Sequence, residues 1–214
     1  MDLTYHPEIF DTATPEQARQ IILTGEGSTT EDRWRIETPY VAGLIASGMT
    51  LDANSVVIDY GCGIGRLSKE LIARHGCRVI GVDISAKMLA MAVDYVQSDR
   101  FLPLAPAMLD GLVAKGFRAD AAISIWVLQH CLKPAVDIER IDRAVAAQGA
   151  IFVLNNIYRA VPTREADWAN DGIDIKATLA KHFAVVRDGK PPDEVTPKDL
   201  RDIIFWAFYT KRPA

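Results

Sequence analysis

Two periodicities divide the chain near residue 50. Before it, apolar positions recur at helical spacing; from Ser55 onward, short apolar runs alternate with amphipathic stretches. The first helix is signalled by Thr14-Pro15-Glu16-Gln17, a capping box with proline at the first helical position, followed by Ile21-Ile22-Leu23 and a stop at Gly25. After a polar break from Gly25 to Thr30, a second helical stretch from Glu31 carries Trp34, Val41, Leu44 and Ile45 as far as Gly48. Pro39 either kinks that stretch or restarts it behind Thr38 as a cap. Residues 1–50 are therefore expected to form a helical lid folded over a site.

Residues 51–214 have the rhythm of a parallel sheet covered on both faces. Strand candidates fall at 56–60, 78–83, 101–105, 120–126, 150–155, 182–187 and 203–210, the third of them crowded by Pro103 and Pro106. Helices are expected at 66–75 closed by Gly76, at 85–96, at 135–147 closed by Gly149, and at 173–181. Between the last two strands lie Gly189-Lys190-Pro191-Pro192 and a helical turn over 197–202. No long crossover fits there, so these strands should pair antiparallel. The 214 residues, 49% hydrophobic and without internal repeats, are expected to make one domain.

Charge and cysteine content remove several classes. The net charge of −4 comes from scattered residues, which gives no footprint for a phosphate backbone, and nucleic acid is not an expected partner. No apolar run reaches the roughly 18 residues of a membrane span, and Met1-Asp2-Leu3-Thr4-Tyr5-His6 lacks the order of a signal peptide. A cytoplasmic protein with no membrane partner is expected. Cys62, Cys77 and Cys131 form no CxxC pair and have no histidine cluster beside them, so free thiols and no metal site are expected.

The chemistry concentrates at two strand ends. In Val56-Val57-Ile58-Asp59-Tyr60-Gly61-Cys62-Gly63-Ile64-Gly65-Arg66-Leu67 a buried strand runs into a loop with glycine at alternate positions and then into a helix. Such a backbone lets a ligand approach closely at the carboxyl edge of the sheet. Asp83 ends the next strand, 22 residues after Gly61, where a carboxylate can accept from two ribose hydroxyls. An adenosine cofactor follows. Nicotinamide enzymes also use a glycine loop and a second-strand acid, but with G-x-G-x-x-G seating a pyrophosphate; here Asp59 stands two residues before the first glycine and would repel one.

These motifs resemble those of the class I S-adenosylmethionine-dependent methyltransferases, in particular the small-molecule type 11 group, over about residues 55–155. Gly81-Val82-Asp83-Ile84-Ser85 with Met88 is similar to that family's GxDxSxxML stretch, and Val127-Leu128-Gln129-His130 to its vLxH segment. The 143–154 segment resembles the family's last conserved stretch with Ala146-Ala147-Gln148-Gly149 in place of LkpGG, and Phe205-Trp206-Ala207-Phe208-Tyr209-Thr210-Lys211 resembles its final strand. The resemblance implies a Rossmann-like α/β fold: a seven-stranded, mostly parallel sheet of order 3-2-1-4-5-7-6 with strand seven antiparallel and helices on both faces. It implies S-adenosyl-L-methionine as cofactor and methyl transfer to a small-molecule acceptor, most readily at oxygen.

Roles follow residue by residue. Gly61, Gly63 and Gly65 would wrap the methionine and ribose, Asp59 would meet the amino group, and Asp83 the ribose hydroxyls. Ile84 and Met88 would lie against adenine, with Met108 and Leu109 on its other face although the usual gD is missing there. Met88 also belongs to a helical stripe with Leu89 and Val93, and core packing suits it equally. Trp126 and Gln129 would border the methyl group. Two roles are open to His130: general base for a hydroxyl or amine, or a loop-packing histidine. Trp34, Tyr158, Arg159, Asp167 and Trp168 are candidates for the acceptor pocket or for lid packing. Ser124-Ile125-Trp126-Val127 stands where a Pro-Pro-aromatic tetrad would grip a base amino group, which disfavours exocyclic N-methylation of DNA. A monomer or homodimer is expected. A non-catalytic cofactor-binding or partner subunit, and a nicotinamide-dependent oxidoreductase, are the alternatives; turnover separates the first, and the choice between S-adenosylhomocysteine and NAD as stabilising ligand the second.

Overall fold

Along each central strand the side chains alternate between two faces and so build two cores. A computed structural model describes residues 4–25, 28–164, 168–196 and 198–212. Its strands are β1 (Val56–Tyr60), β2 (Arg78–Val82), β3 (Phe101–Leu104), β4 (Ala119–Ile125), β5 (Val145–Asn156), β6 (Phe183–Gly189) and β7 (Ile204–Lys211). They form one sheet of order β3-β2-β1-β4-β5-β7-β6, with β7 antiparallel to both neighbours and the other pairs parallel. This is the order the resemblance implied. On one face Ile58, Ala122, Ile151 and Val153 pack against α5 (Pro106–Ala114), α6 (Pro134–Ala144) and α7 (Ile175–His182). On the other, Val57, Ile123, Phe152 and Leu154 pack against α2 (Thr30–Gly48) and α3 (Arg66–His75).

A third, smaller cluster joins the N-terminal residues to the glycine loop. Ala18 of α1 (Pro15–Ile22), Leu23, Trp34, Ile64 and Met88 of α4 (Ala86–Val96) bury one another at the carboxyl edge of the sheet. The stretch expected as a lid thus divides. Val41, Ala42 and Ile45 of α2 are fully buried in the sheet-facing core, whereas residues before Thr24 lie over the edge.

Several boundaries differ from the sequence reading, each for a local reason. Pro39 neither restarts nor ends α2, which runs unbroken from its cap Thr29; burial of the following turn outweighs the lost hydrogen bond, a cost of about 3 kcal/mol. α1 ends at Ile22 rather than Gly25. α6 ends at Ala144, and Gly149 lies within β5, where a Cβ would sit 2.8 Å from the Asp120 carbonyl oxygen. Between β3 and β4 stands α5, a helix without a polar face that would have marked it in the sequence. β3 tolerates Pro103 because it is an edge strand, paired on one side only. All three cysteines are free thiols. No helix among the described residues is long and apolar enough to cross a membrane, and no group of His, Cys, Asp or Glu among them could hold a metal ion.

Candidate functional site

At the carboxyl edge of β1 the chain must turn sharply beneath β4. Gly61, Gly63 and Gly65 all have positive φ (79°, 53° and 81°). At Gly61 a side chain is excluded twice over, by this conformation and by Val127, whose Cγ2 would lie 2.1 Å from a Cβ. Gly61 and Gly63 line a cavity of about 1150 Å³ that opens along this edge. Gly65 does not: it caps α3 and packs against Val96 of α4.

Two acids face the cavity in different states. Asp59 is buried and accepts from Ser68 Oγ at 2.7 Å. Burial lifts its carboxyl to about 6, against the opposing pull of the Ser68 hydrogen bond and the Arg66 charge. Asp83 is pinned by two backbone donors, Gly63 N on Oδ2 and Ser85 N on Oδ1, each at 2.9 Å. It too is raised by burial, its backbone hydrogen bonds opposing the shift. Each pinned oxygen keeps a lone pair for a hydroxyl. Ile84, 57% exposed, and Met88 continue the wall beside Asp83.

Behind this wall lies a buried ionic hub. Glu37 on α2 accepts from Arg33 Nη2 (2.9 Å), Arg66 Nη2 (3.1 Å) and Trp126 Nε1 (2.8 Å). Arg66 also donates to Thr38 Oγ1. Trp126, at the end of β4, has φ +61°, a strained conformation for an aromatic residue, and is held there by Glu37 and by its own N–H to the Leu154 carbonyl. Arg33 lines the cavity with a buried Nε that has no hydrogen-bond partner.

The far half of the cavity is aromatic and apolar. His130 Nδ1 lies 2.7 Å from the Ala160 carbonyl, which fixes a neutral tautomer that donates from Nδ1; Nε2 then accepts from the Gln129 amide at 3.1 Å. Burial lowers its pKa to about 4. Both ring nitrogens are occupied, so the geometry opposes the general-base role expected for His130 and fits the packing role. Phe10 and Trp168 contact the same ring, with centroids 5.8 Å and 4.6 Å away. Tyr5 donates to the His130 carbonyl.

Of the residues singled out from sequence, Asp59, Gly61, Gly63, Asp83, Ile84, Met88, Trp126, Gln129, His130 and Trp168 line this one cavity. Met108 and Leu109 do not: Met108 points to solvent from α5 and Leu109 is fully buried in the core, and Pro106 stands in the wall at that place. Trp34 is core, stacked beneath Arg19 and Arg66. Tyr158 is exposed outside the cavity, and Arg159 ties its loop to Asp171 and the Leu132 carbonyl. Asp167 lies outside the described residues. Arg33, Glu37, Tyr5, Phe10 and Asn156 escaped the sequence reading. Glu37 and Arg33 are four residues apart on one helix, the spacing of a surface ion pair, and only the fold buries them.

The residues present fit S-adenosylmethionine. Asp59 suits an ammonium, Asp83 a pair of ribose hydroxyls, Arg33 a carboxylate, and Ile84 with Met88 an adenine face. This strand order with a glycine loop and two edge acids is the arrangement that the resemblance to class I S-adenosylmethionine-dependent methyltransferases implied. The family model described as a methyltransferase domain matches residues 58–153. N-demethylindolmycin N-methyltransferase of Streptomyces griseus is 28% identical over 152 residues, 67% of this chain and 54% of the relative. Ubiquinone biosynthesis O-methyltransferase of Methylobacterium sp. (strain 4-46) is 30% identical over 102 residues, 47% of this chain and 40% of the relative. The chain thus spans about half or less of these curated relatives. Among solved structures, N-methyltransferase NodS of Bradyrhizobium japonicum WM9, in complex with S-adenosyl-L-homocysteine, has a TM-score of 0.66 at 13% identity over 99% of this chain and 100% of that one. A geranyl diphosphate methyltransferase in complex with SAM has a TM-score of 0.67 at 13% identity, covering 98% and 96%.

Two outcomes follow from this geometry. Glu37→Gln leaves two buried guanidinium groups short of a counter-charge and should lower unfolding free energy by about 3 kcal/mol or more. Denaturant melts check this, and a loss below about 1 kcal/mol would show the charge to be immaterial. For Asp59 the native pKa is raised, so the native state binds more protons than the unfolded chain between about pH 4 and 6, and stability falls as pH rises through that window. Asp59→Asn should remove this fall and raise the melting temperature of the ligand-free protein at pH 8. The same change should weaken S-adenosylhomocysteine binding, measured by calorimetry, about tenfold or more.

Proposed function

We propose that this protein transfers a methyl group from S-adenosylmethionine to an acidic oxygen of a small molecule, without a general base. The observation that carries the reading is the convergence of the glycine loop, Asp59 and Asp83 on one cavity large enough for a cofactor and an acceptor together. When bound, the cofactor supplies a methyl on a sulfonium that is already activated for displacement. The chain's own task is to hold donor and acceptor in line and to keep water out.

The absence of a free base among the described residues argues for oxygen that is already anionic. His130, at about 4, is a weak base whose Nε2 is occupied. Asp11 is paired with Lys87, Glu8 with His6, and Asp137 with Arg140. Asp59 belongs to the cofactor's half. Lys133, in contrast, stands in the cavity wall with no carboxylate partner among the described residues, which favours an anionic acceptor over a cationic one. An unprotonated amine would need no base either, and one relative is named for N-methylation; Lys133 tips the balance toward oxygen.

Asp83→Ala should weaken S-adenosylhomocysteine binding by about 1.5–3 kcal/mol while the fold persists, because two ribose hydroxyls lose a charged acceptor. Calorimetry with circular dichroism checks both halves, and unchanged affinity would remove the cofactor site from this edge. Turnover with a series of substituted phenols at pH 7 should rise with phenol acidity. His130→Asn, which keeps a donor to the Ala160 carbonyl, should change kcat less than about tenfold and leave the pH–rate profile unaltered between pH 6 and 7. A limb in that range that vanishes in the variant would restore His130 as the base.

A further inference from the structure

Four exposed apolar side chains gather at one end of the cavity. Leu132, Val136, Trp168 and Ile203 are each 38% exposed or more, and all four line the half of the cavity away from Asp83. There Phe10, His130 and Trp168 form a cluster of tilted rings, with interplanar angles of 46° to 48°. The three come from distant parts of the chain: the N-terminal strap, the turn after β4 and the loop after β5. Trp168 remains 41% exposed although it touches both other rings, so one face of the indole is left to the cavity.

Next to this cluster is an unmet polar atom. Asn156, the last residue of β5, lines the cavity, and its side-chain oxygen is buried with no hydrogen-bond partner. It belongs to the same assembly as the rings: Asn156 N donates to Gln129 Oε1, and Gln129 Nε2 donates to His130. A buried acceptor without a donor is a cost that a bound hydroxyl or N–H would relieve.

Resting on the methyl-transfer reading, we propose that the acceptor is a flat aromatic molecule bearing a hydroxyl or N–H donor, packed on the Phe10–His130–Trp168 wall with that donor on Asn156. Aromatic faces meet tilted rings favourably through their quadrupoles, which a saturated chain lacks. A cationic amine is disfavoured even though aromatic clusters can hold one. The nearby acids Glu8 and Asp11 are already paired, His130 is neutral, and Lys133 repels a like charge.

The test uses the full chain saturated with S-adenosylhomocysteine, whose own titration reports separately on the cofactor site. Three probes of one size are then titrated by calorimetry: 2-naphthol, 2-fluoronaphthalene, which keeps the π face without a donor, and trans-2-decalol, which keeps the hydroxyl without a π face. The expected order is 2-naphthol at least tenfold tighter than 2-fluoronaphthalene and at least tenfold tighter than trans-2-decalol. Asn156→Leu should erase the first difference and Trp168→Leu the second, with S-adenosylhomocysteine affinity unchanged. Equal binding of 2-naphthol and trans-2-decalol, equal binding of 2-naphthol and 2-fluoronaphthalene, or no binding of 2-naphthol at its solubility limit would each overturn the proposal. The wild-type comparison decides the matter even where a variant fails to fold. Loss of S-adenosylhomocysteine binding in the wild type would instead overturn the methyl-transfer reading itself.

Discussion

The Glu37 carboxylate holds together the parts of the molecule that surround the cavity. It lies on α2, receives Arg66 from the first turn after the glycine loop, and receives the indole N–H of Trp126 from the end of β4. Burying a carboxylate with two guanidinium groups carries a large desolvation penalty, and the arrangement persists because nearly every donor finds a partner. Its product is geometric. Trp126 is kept in a conformation that costs about 1–3 kcal/mol in an unconstrained aromatic residue. The helix after the glycine loop is kept at a fixed distance from β4. Asp59 sits beside Arg66 in consequence, and the guanidinium moderates the rise that burial imposes on its carboxyl.

Polarity divides the cavity accordingly. The half nearest β1 and β2 presents carboxylates, backbone donors and Arg33, a surface that answers a ligand with charges of both signs. The half beyond β4 presents rings and aliphatic side chains with the amides of Gln129 and Asn156, Lys133 and the Asp137–Arg140 pair. On the proposed reading, a polar cofactor and a more apolar acceptor would be sorted to opposite sides by solvation, with Trp126 between them.

The sheet and the cofactor half were legible in the sequence because they obey short-range rules. Nearly continuous apolar, buried runs along β1 and β4, glycines at positive φ, and an acid just past β2 are all local signals. What escaped is non-local. Glu37 and Arg33 have the spacing of an ordinary helical ion pair, and only Arg66 and Trp126, 29 and 89 residues away from Glu37, close over them. Trp34 was left open between acceptor pocket and lid packing because an aromatic in a lid has no visible partner in sequence; Arg19, Arg66 and Tyr95 cover it, which is packing. α5 was invisible because a helix with Asp110 as its one charged residue has no clear polar period to detect, and Met108 and Leu109 were misplaced with it. Residues 145–149 read as the end of a helix, whereas pairing with β4 draws them into β5.

Enclosure of the two halves comes from a single short strap. Tyr5, Phe10 and Asp11 line the cavity, and the strap reaches both sides of it: Tyr5 and Phe10 meet His130, while Asp11 and Thr12 meet Ser85 and Met88. The strap is itself sewn to the loop that carries Trp168, through His6 N to the Pro162 carbonyl and Arg164 N to the Thr4 carbonyl. Few of its side chains are buried, and its backbone bonds are few, so it belongs to the least stable part of the molecule. A reaction whose donor is already activated gains most from alignment and dryness. Both depend here on the same strap, which on the proposed reading would lie against cofactor and acceptor alike.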